Sequence, residues 1–147
     1  MALLNGKTPT AWWEDFLNEL VMGKTGNQVE EDLEKFTTPD FWRQDFDRII
    51  DRAMLGHHCE FVRSLPDVNE IEVEVRHASF DGEYFAADHT VAGPGGKTGR
   101  YKIEVLTFAK IENSRAAWIR ELYWSVEGED TSWTDEFETY PKSAPTS

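Results

Sequence analysis

The chain has 147 residues, of which 39% are hydrophobic and 13% aromatic, a composition typical of one folded domain and not of a disordered chain. Its formal net charge of −13 disfavours nucleic acid and anionic membrane surfaces as partners. The N-terminus has no charged segment followed by an apolar one, so we expect a cytoplasmic protein without a signal peptide.

The N-terminal part of the chain predicts three helices and one strand. Thr8 can cap the first helix and Pro9 suits its first turn. The second helix is expected to open at Asn27, with Glu30 as its capping-box partner. The stretch 41–46 is short and rich in aromatic residues, and it predicts a first strand. Residues 51–65 then predict a third helix, which Pro66 ends.

Strands are predicted for most of the remaining chain. Residues 70–78 alternate strictly, and Ile71, Val73, Val75 and His77 share the apolar face. An Asp-Gly pair at 81–82 predicts a hairpin turn into a strand whose apolar side carries Phe85, Ala87, His89 and Val91. Two long strands follow, at 100–111 and 116–126, joined around Asn113 and Ser114.

Helices followed by strands predict an α+β domain, in which a curved antiparallel sheet wraps around the three helices and leaves a cavity. We assign residues 1–7 to an N-terminal arm, residues 8–130 to the domain and residues 131–147 to an acidic tail, expected to be mobile at its end. Three aromatic residues of this tail could pack back onto the domain: Trp133, Phe137 and Tyr140.

The third predicted helix carries two adjacent histidines and the only cysteine. His58 falls on the apolar stripe, whereas His57 falls on the polar side, because neighbours on a helix lie about 100° apart. This separation disfavours a metal site, and Cys59 has no base beside it that would make it a nucleophile. His58 is either a core histidine with satisfied nitrogens or an acid/base that faces the cavity. His89 lies on the apolar face of another element, which favours the second alternative.

The last predicted strand directs one charged residue into an apolar environment. One face of this strand carries Trp118, Arg120, Leu122 and Trp124, and the other carries Ile119, Glu121 and Tyr123. Both faces are largely apolar. The pattern therefore leaves open whether Arg120 or Glu121 faces the cavity. Either residue could instead form a salt bridge at a dimer interface.

Four stretches, in this order and spacing, resemble the nuclear-transport-factor-like superfamily, which includes ketosteroid isomerases, scytalone dehydratase and SnoaL-like polyketide cyclases. They are FTTPDFWRQ, HCEFVRSLPDVNEIEVEV, DGEYFAADHTV and VLTFAKIENSRAAWIRELYWSVEGED, and the resemblance covers roughly residues 10–130. It implies a cone-shaped α+β barrel, often a homodimer, with a mostly apolar pocket between the helices and the concave face of the sheet.

The resemblance also implies cofactor-free acid/base catalysis of cyclisation, isomerisation or dehydration, on a hydrophobic oxygenated substrate such as a polyketide or terpenoid. His58 is the expected principal acid/base, His89 a second proton-handling or hydrogen-bonding group, and Arg120 or Glu121 the charge partner. The residues expected to line the cavity are Phe16, Met54, Thr107, Trp118 and Trp124.

The isomerase branch uses two pocket carboxylates, and this sequence departs from that pattern. Asp45 or Asp47 can supply the first, but Thr107 stands where the second is expected, so a steroid isomerase in the strict sense is not expected. The alternative from another class is a non-catalytic domain of the same fold that binds a ligand or a protein partner. The acidic tail with its interleaved aromatic residues suits that role.

Overall fold

The structure, a computed structural model, describes residues 2–95 and 99–128. Three α-helices and six strands form the domain, and a π-helical segment, Phe16–Val21, extends the first helix. The helices are α1 Pro9–Asp15, α2 Val29–Phe36 and α3 Arg52–Arg63. The strands are β1 Thr37–Asp45, β2 Arg48–Asp51, β3 Glu72–Phe80, β4 Tyr84–Pro94, β5 Arg100–Glu112 and β6 Arg115–Glu127.

The helix starts follow from their capping residues, with one exception. The Thr8 side chain accepts a hydrogen bond from the amide of Ala11 (3.2 Å) and Asp51 accepts one from Met54 (2.9 Å), as N-caps do. The capping box predicted for the second helix is wrong, because this helix begins at Val29 and has no side-chain cap. The Asn27 amide instead reaches the buried carboxylate of Asp32 (3.4 Å).

The six strands form one curved sheet in the order β2-β1-β6-β5-β4-β3, and the expected α+β cone is confirmed. The sheet is mixed and open where an all-antiparallel one was predicted, because β1 and β6 run parallel while the other pairs are antiparallel. The chain leaves β1 through a hairpin into β2, which occupies one edge of β1. Its other edge is then available to the last strand.

A bulge in β3 changes the face of one residue that was predicted to lie on the apolar side of this strand. Val75 pairs with His89 and His77 with Asp88, so Arg76 is the extra residue between them. The inserted residue turns His77 outward, where its side chain is 83% exposed and its Nδ1 lies 3.2 Å from Asp88. His77 was expected on the apolar face and does not lie there.

The concave face of the sheet packs on the helices, and the convex face is open to solvent. Aromatic rings from α1, the π-helical segment and β4 fill one half of the core, with Trp13 and Phe16 stacked at 4.7 Å between centroids. Leu106, Phe108 and Leu122 are exposed on the convex face. No helix within residues 2–95 and 99–128 is long and apolar enough to cross a membrane. The tail, with Trp133, Phe137 and Tyr140, lies outside the described residues.

Candidate functional site

A cavity of about 60 Å³ lies between the helices and the concave face of the sheet. Most of its wall is aliphatic, contributed by Leu17, Val21, Met22, Val62, Leu65, Ile71, Val73, Val91 and Val105. Six polar side chains also face it: Arg43, His58, His89, Tyr101, Glu121 and Tyr123. An apolar hollow with a few convergent polar groups is the usual form of a small-molecule site.

Three neighbouring strands build a charged cluster at one side of this cavity. Glu121 on β6 stands beside Asp45 in the parallel pair and opposite Thr107 in the antiparallel pair, so their side chains project from the same face. Arg43 lies two residues before Asp45 on β1 and therefore shares that face. The strand register, and not a loop, positions all four residues.

Hydrogen bonds connect the members of this cluster. Arg43 donates from Nε and Nη2 to the two oxygens of Asp45, both at 2.7 Å, and its Nη2 lies 3.0 Å from Glu121 Oε1. The hydroxyl of Thr107 donates to Glu121 Oε2 at 2.5 Å. Both oxygens of Glu121 therefore have a partner, and Arg43 bridges two buried carboxylates.

Burial and charge act in opposite directions on the two central groups. Burial disfavours the charge on Arg43, but the carboxylates of Asp45 and Glu121 outweigh it and raise the pKa of Arg43. Burial, together with repulsion from Asp45, raises the pKa of Glu121, although Arg43 and the Thr107 hydroxyl partly oppose the shift. A carboxyl group with a raised pKa can give and take a proton nearer neutral pH.

His89 is held as a neutral imidazole. The indole Nε1 of Trp13 donates a hydrogen bond to His89 Nδ1 at 3.1 Å, and because an indole N–H only donates, this nitrogen is an acceptor and Nε2 carries the proton. Burial first, and then the charge of Arg43, lower the pKa of His89 to about 3. Of the two roles expected for His89, this environment favours hydrogen bonding over proton transfer.

The histidines of α3 lie on opposite sides of the helix, as the sequence predicted. His58 is 1% exposed and faces the cavity, whereas His57 is exposed. Cys59 is fully buried in the core. The cavity therefore receives imidazoles from two separate elements, His58 from α3 and His89 from β4.

The structure places Arg120 on the convex face, so Glu121 is the charged residue of β6 that faces the cavity. The guanidinium carbon of Arg120 lies 5.5 Å from the ring centroid of Trp42 and 5.1 Å from that of Trp118, in cation–π contact. Trp118 and Trp124 share this outward face. The two tryptophans expected to line the cavity are therefore on the other side of the sheet.

The other residues expected to line the cavity lie beside it. Phe16 packs against Trp13 in the aromatic core, and Met54 is partly buried against the same core. Thr107 does not form part of the wall itself, but its hydroxyl donates a hydrogen bond to the carboxyl group of Glu121, which does. In each case a neighbouring side chain, and not the expected one, forms the wall.

Three polar residues of the cavity were missed by the sequence reasoning: Arg43, Tyr101 and Tyr123. A signal existed for Arg43, since Phe41, Arg43 and Asp45 alternate along one strand and Phe41 marks the inward face. Within the part of the chain that the structure describes, no three His, Cys, Asp or Glu side chains converge as ligands for a metal ion.

No protein-family model matches this sequence, and no curated protein matches it significantly. Solved structures do. IdmH from Streptomyces antibioticus, a candidate polyketide cyclase, matches with a TM-score of 0.59 and 12% identity over 89% of this chain and 99% of its own. An LEH-like epoxide hydrolase from M. tuberculosis matches at 0.56 and 15% identity, over 88% and 89% of the two chains. An NTF2-like protein of unknown function from Cytophaga hutchinsonii matches at 0.58 and 6%, over 79% and 99%. The chain therefore has the NTF2-like fold that the sequence resemblance implied.

Proposed function

We propose that the protein is a small-molecule enzyme that transfers protons without a cofactor, in the cyclisation, isomerisation or dehydration of a hydrophobic oxygenated substrate. One observation supports this most: a buried carboxyl group with a raised pKa, Glu121, faces an apolar cavity. Apolar surroundings that raise the pKa of a carboxyl group favour its use as a general acid or base. The name of one structural neighbour, a candidate polyketide cyclase, agrees with this class of chemistry.

In this proposal Glu121 takes a proton from the substrate or gives one to it. Arg43 and Thr107 hold its two oxygens in place, and Asp45 is a positioning residue that fixes Arg43. His58 is the second candidate for proton transfer, because it reaches the same cavity from the helical side. His89 donates a hydrogen bond through Nε2 to an oxygen on which negative charge develops.

The size of the cavity bears on the substrate. Sites for drug-sized ligands usually measure roughly 300–1,000 Å³, against about 60 Å³ here. A polyketide or terpenoid therefore requires side chains of the wall to move. Leu17 and Val21, which lie on the π-helical segment, are the wall residues best placed to do so, since such segments depart from regular helical hydrogen bonding.

The test needs no knowledge of the physiological substrate. Small ketones and hydroxyketones are incubated in D₂O and the loss of their α-protons is followed by NMR. We expect the protein to accelerate exchange for at least one compound, and Glu121→Gln to slow it by a factor of about 10² or more. The matched control is Glu74→Gln, the same substitution at an exposed position of β3. Equal exchange by the wild type and Glu121→Gln would exclude Glu121 as the base.

A non-catalytic ligand-binding role is the second candidate. One observation favours it: both oxygens of Glu121 already have partners, Arg43 and Thr107. A substrate would have to compete with these partners before Glu121 could exchange a proton with it. This alternative predicts that ligands bind in the cavity but that no compound exchanges protons faster than in buffer.

We also propose that the protein is a homodimer that pairs through the convex face of the sheet. Leu122 is 51% exposed, Phe108 45% and Trp124 44%, and these residues lie on adjacent strands. An exposed apolar patch of this kind usually marks an interface. Sedimentation velocity at micromolar concentration tests this directly, since a monomer under those conditions contradicts it.

A further inference from the structure

We propose that the cavity takes an uncharged, compact ligand, and that an acceptor oxygen of this ligand meets the Nε2–H of His89. The proposal rests on the proposed function in so far as the same cavity holds the substrate. It goes further by naming the charge, the size and the hydrogen-bonding group of the ligand.

The hydrogen-bonding side of His89 is set by its contact with Trp13. The indole occupies the Nδ1 edge of the imidazole at 3.1 Å, and Trp13 belongs to the aromatic core behind the cavity wall. His89 itself is part of that wall. The opposite edge of the ring, which carries the proton, is therefore the edge available to a ligand. A hydrogen-bond donor in an apolar wall selects for an acceptor, since an unpaired buried donor is unfavourable.

The charges around the cavity disfavour an ionic ligand of either sign. Arg43 is already engaged by the carboxylates of Asp45 and Glu121, so an anion would meet the Glu121 carboxylate and compete with both for Arg43. A cation would have to compete with Arg43 for Glu121 and would face the N–H of His89. Either ion would also lose its hydration against a largely aliphatic wall, which is unfavourable without a dedicated partner.

The volume limits the ligand to a few non-hydrogen atoms in the cavity as it stands. A cavity of about 60 Å³ is several-fold smaller than the roughly 300–1,000 Å³ typical of sites for drug-sized ligands. A five-membered ring with one oxygen, such as cyclopentanone, is at the small end of organic ligands. Larger molecules would have to displace the wall.

The experiment compares probes of similar size and different charge. Cyclopentanone, cyclopentane, cyclopentylammonium and cyclobutanecarboxylate are titrated at pH 7 into ¹⁵N-labelled protein, and the ring nitrogens of His89 and the indole N–H of Trp13 are followed by NMR. We expect cyclopentanone to shift the NMR resonance of His89 Nε2. It should also bind roughly tenfold more tightly than each of the other three probes, the factor in affinity that corresponds to one hydrogen bond.

Variants of His89 test the assigned donor. His89→Phe should reduce cyclopentanone binding to the level of cyclopentane, and His89→Gln, which keeps a side-chain N–H, should retain part of the preference even if the phenylalanine variant does not fold. His77→Phe, at an exposed position, should change nothing. Tightest binding by either ion, equal binding of cyclopentanone and cyclopentane, or no binding of any probe overturns the proposal.

Binding and turnover separate this inference from the proposed function. Cyclopentanone should still bind to Glu121→Gln, because His89 and the aliphatic part of the wall are unchanged. If the ketone preference is present and no α-proton exchanges, the proposed catalysis fails and the ligand assignment stands. If exchange occurs on charged compounds, the ligand assignment fails and the catalysis stands.

Discussion

Acidification should destabilise the protein through His89 before the ring itself becomes charged in the folded state. The ordinary pKa of histidine is 6.5, and burial and Arg43 lower that of His89 to about 3. Between these values the unfolded chain binds a proton that the folded chain does not, so stability is lost as the pH falls below 6.5. Above pH 6.5 both states are neutral at this position and His89 contributes no pH dependence.

The size of the effect follows from the two pKa values. The loss approaches about 1.4 kcal/mol for each pH unit, and the linkage expression gives about 2 kcal/mol between pH 7 and pH 5 for this residue alone. The raised pKa of Glu121 acts in the opposite direction, because protonation of this group in the folded state opposes the loss. The contribution of His89 is therefore the difference between the wild type and a variant that lacks the imidazole.

The assay is urea denaturation at pH 7, 6 and 5, followed by tryptophan fluorescence, on the wild type, His89→Gln and His77→Gln. We expect the wild type and His77→Gln to lose about 2 kcal/mol more than His89→Gln between pH 7 and 5. NMR of the imidazole should show no protonation of His89 down to pH 5. Parallel losses in all three proteins, or a His89 midpoint near 6.5, would refute the assignment of a buried neutral ring.

Three further predictions follow from the charged cluster, the cavity wall and the convex face. Arg43→Met should reduce the free energy of unfolding by about 3–5 kcal/mol in urea denaturation, since it leaves Asp45 and Glu121 buried without a cation. A loss below about 1 kcal/mol would mean that water reaches these carboxylates. Leu17→Ala should destabilise by about 2–4 kcal/mol and enlarge the cavity, so that cyclohexanone and larger ketones bind more tightly by NMR titration. Unchanged affinities would show that Leu17 does not limit ligand size. Leu122→Glu should convert the proposed dimer to a monomer in sedimentation velocity without loss of helical circular dichroism, and a variant that is still dimeric would assign the interface to another surface.

Local patterns in the sequence were sufficient for most elements of the fold. Thr8 and Asp51 cap their helices, and the more apolar side of β4 places Phe85 and His89 inward. The parallel pairing of β1 with β6 could not be predicted in this way, because nothing within a strand specifies its neighbour. The bulge at Arg76 was missed for a related reason. One inserted residue reverses the faces of the strand that follows it, but the apolar and polar residues on either side of it still alternate in the sequence.

The candidate site was predictable in part. The inward positions of His58 and His89 follow from helical and strand periodicity. Periodicity does not decide between Arg120 and Glu121. The convex face of β6 is as apolar as the concave face, so the usual contrast between a polar outer face and an apolar inner face is absent. The ion pair of Arg43 with Glu121 depends on the same non-local strand pairing that the sequence does not reveal.

The pairing of the first strand with the last has a consequence for how the chain reaches its native state. Thr37 lies next to Ala116, so the contacts that join β1 to β6 span most of the domain and close a long loop, a kind of contact that slows folding. Until β6 arrives, Arg43 and Asp45 lie at a sheet edge that water can reach. A nascent chain that has not yet left the ribosome as far as β6 therefore lacks the strand that carries Glu121 and has no enclosed interior in which a ligand could bind.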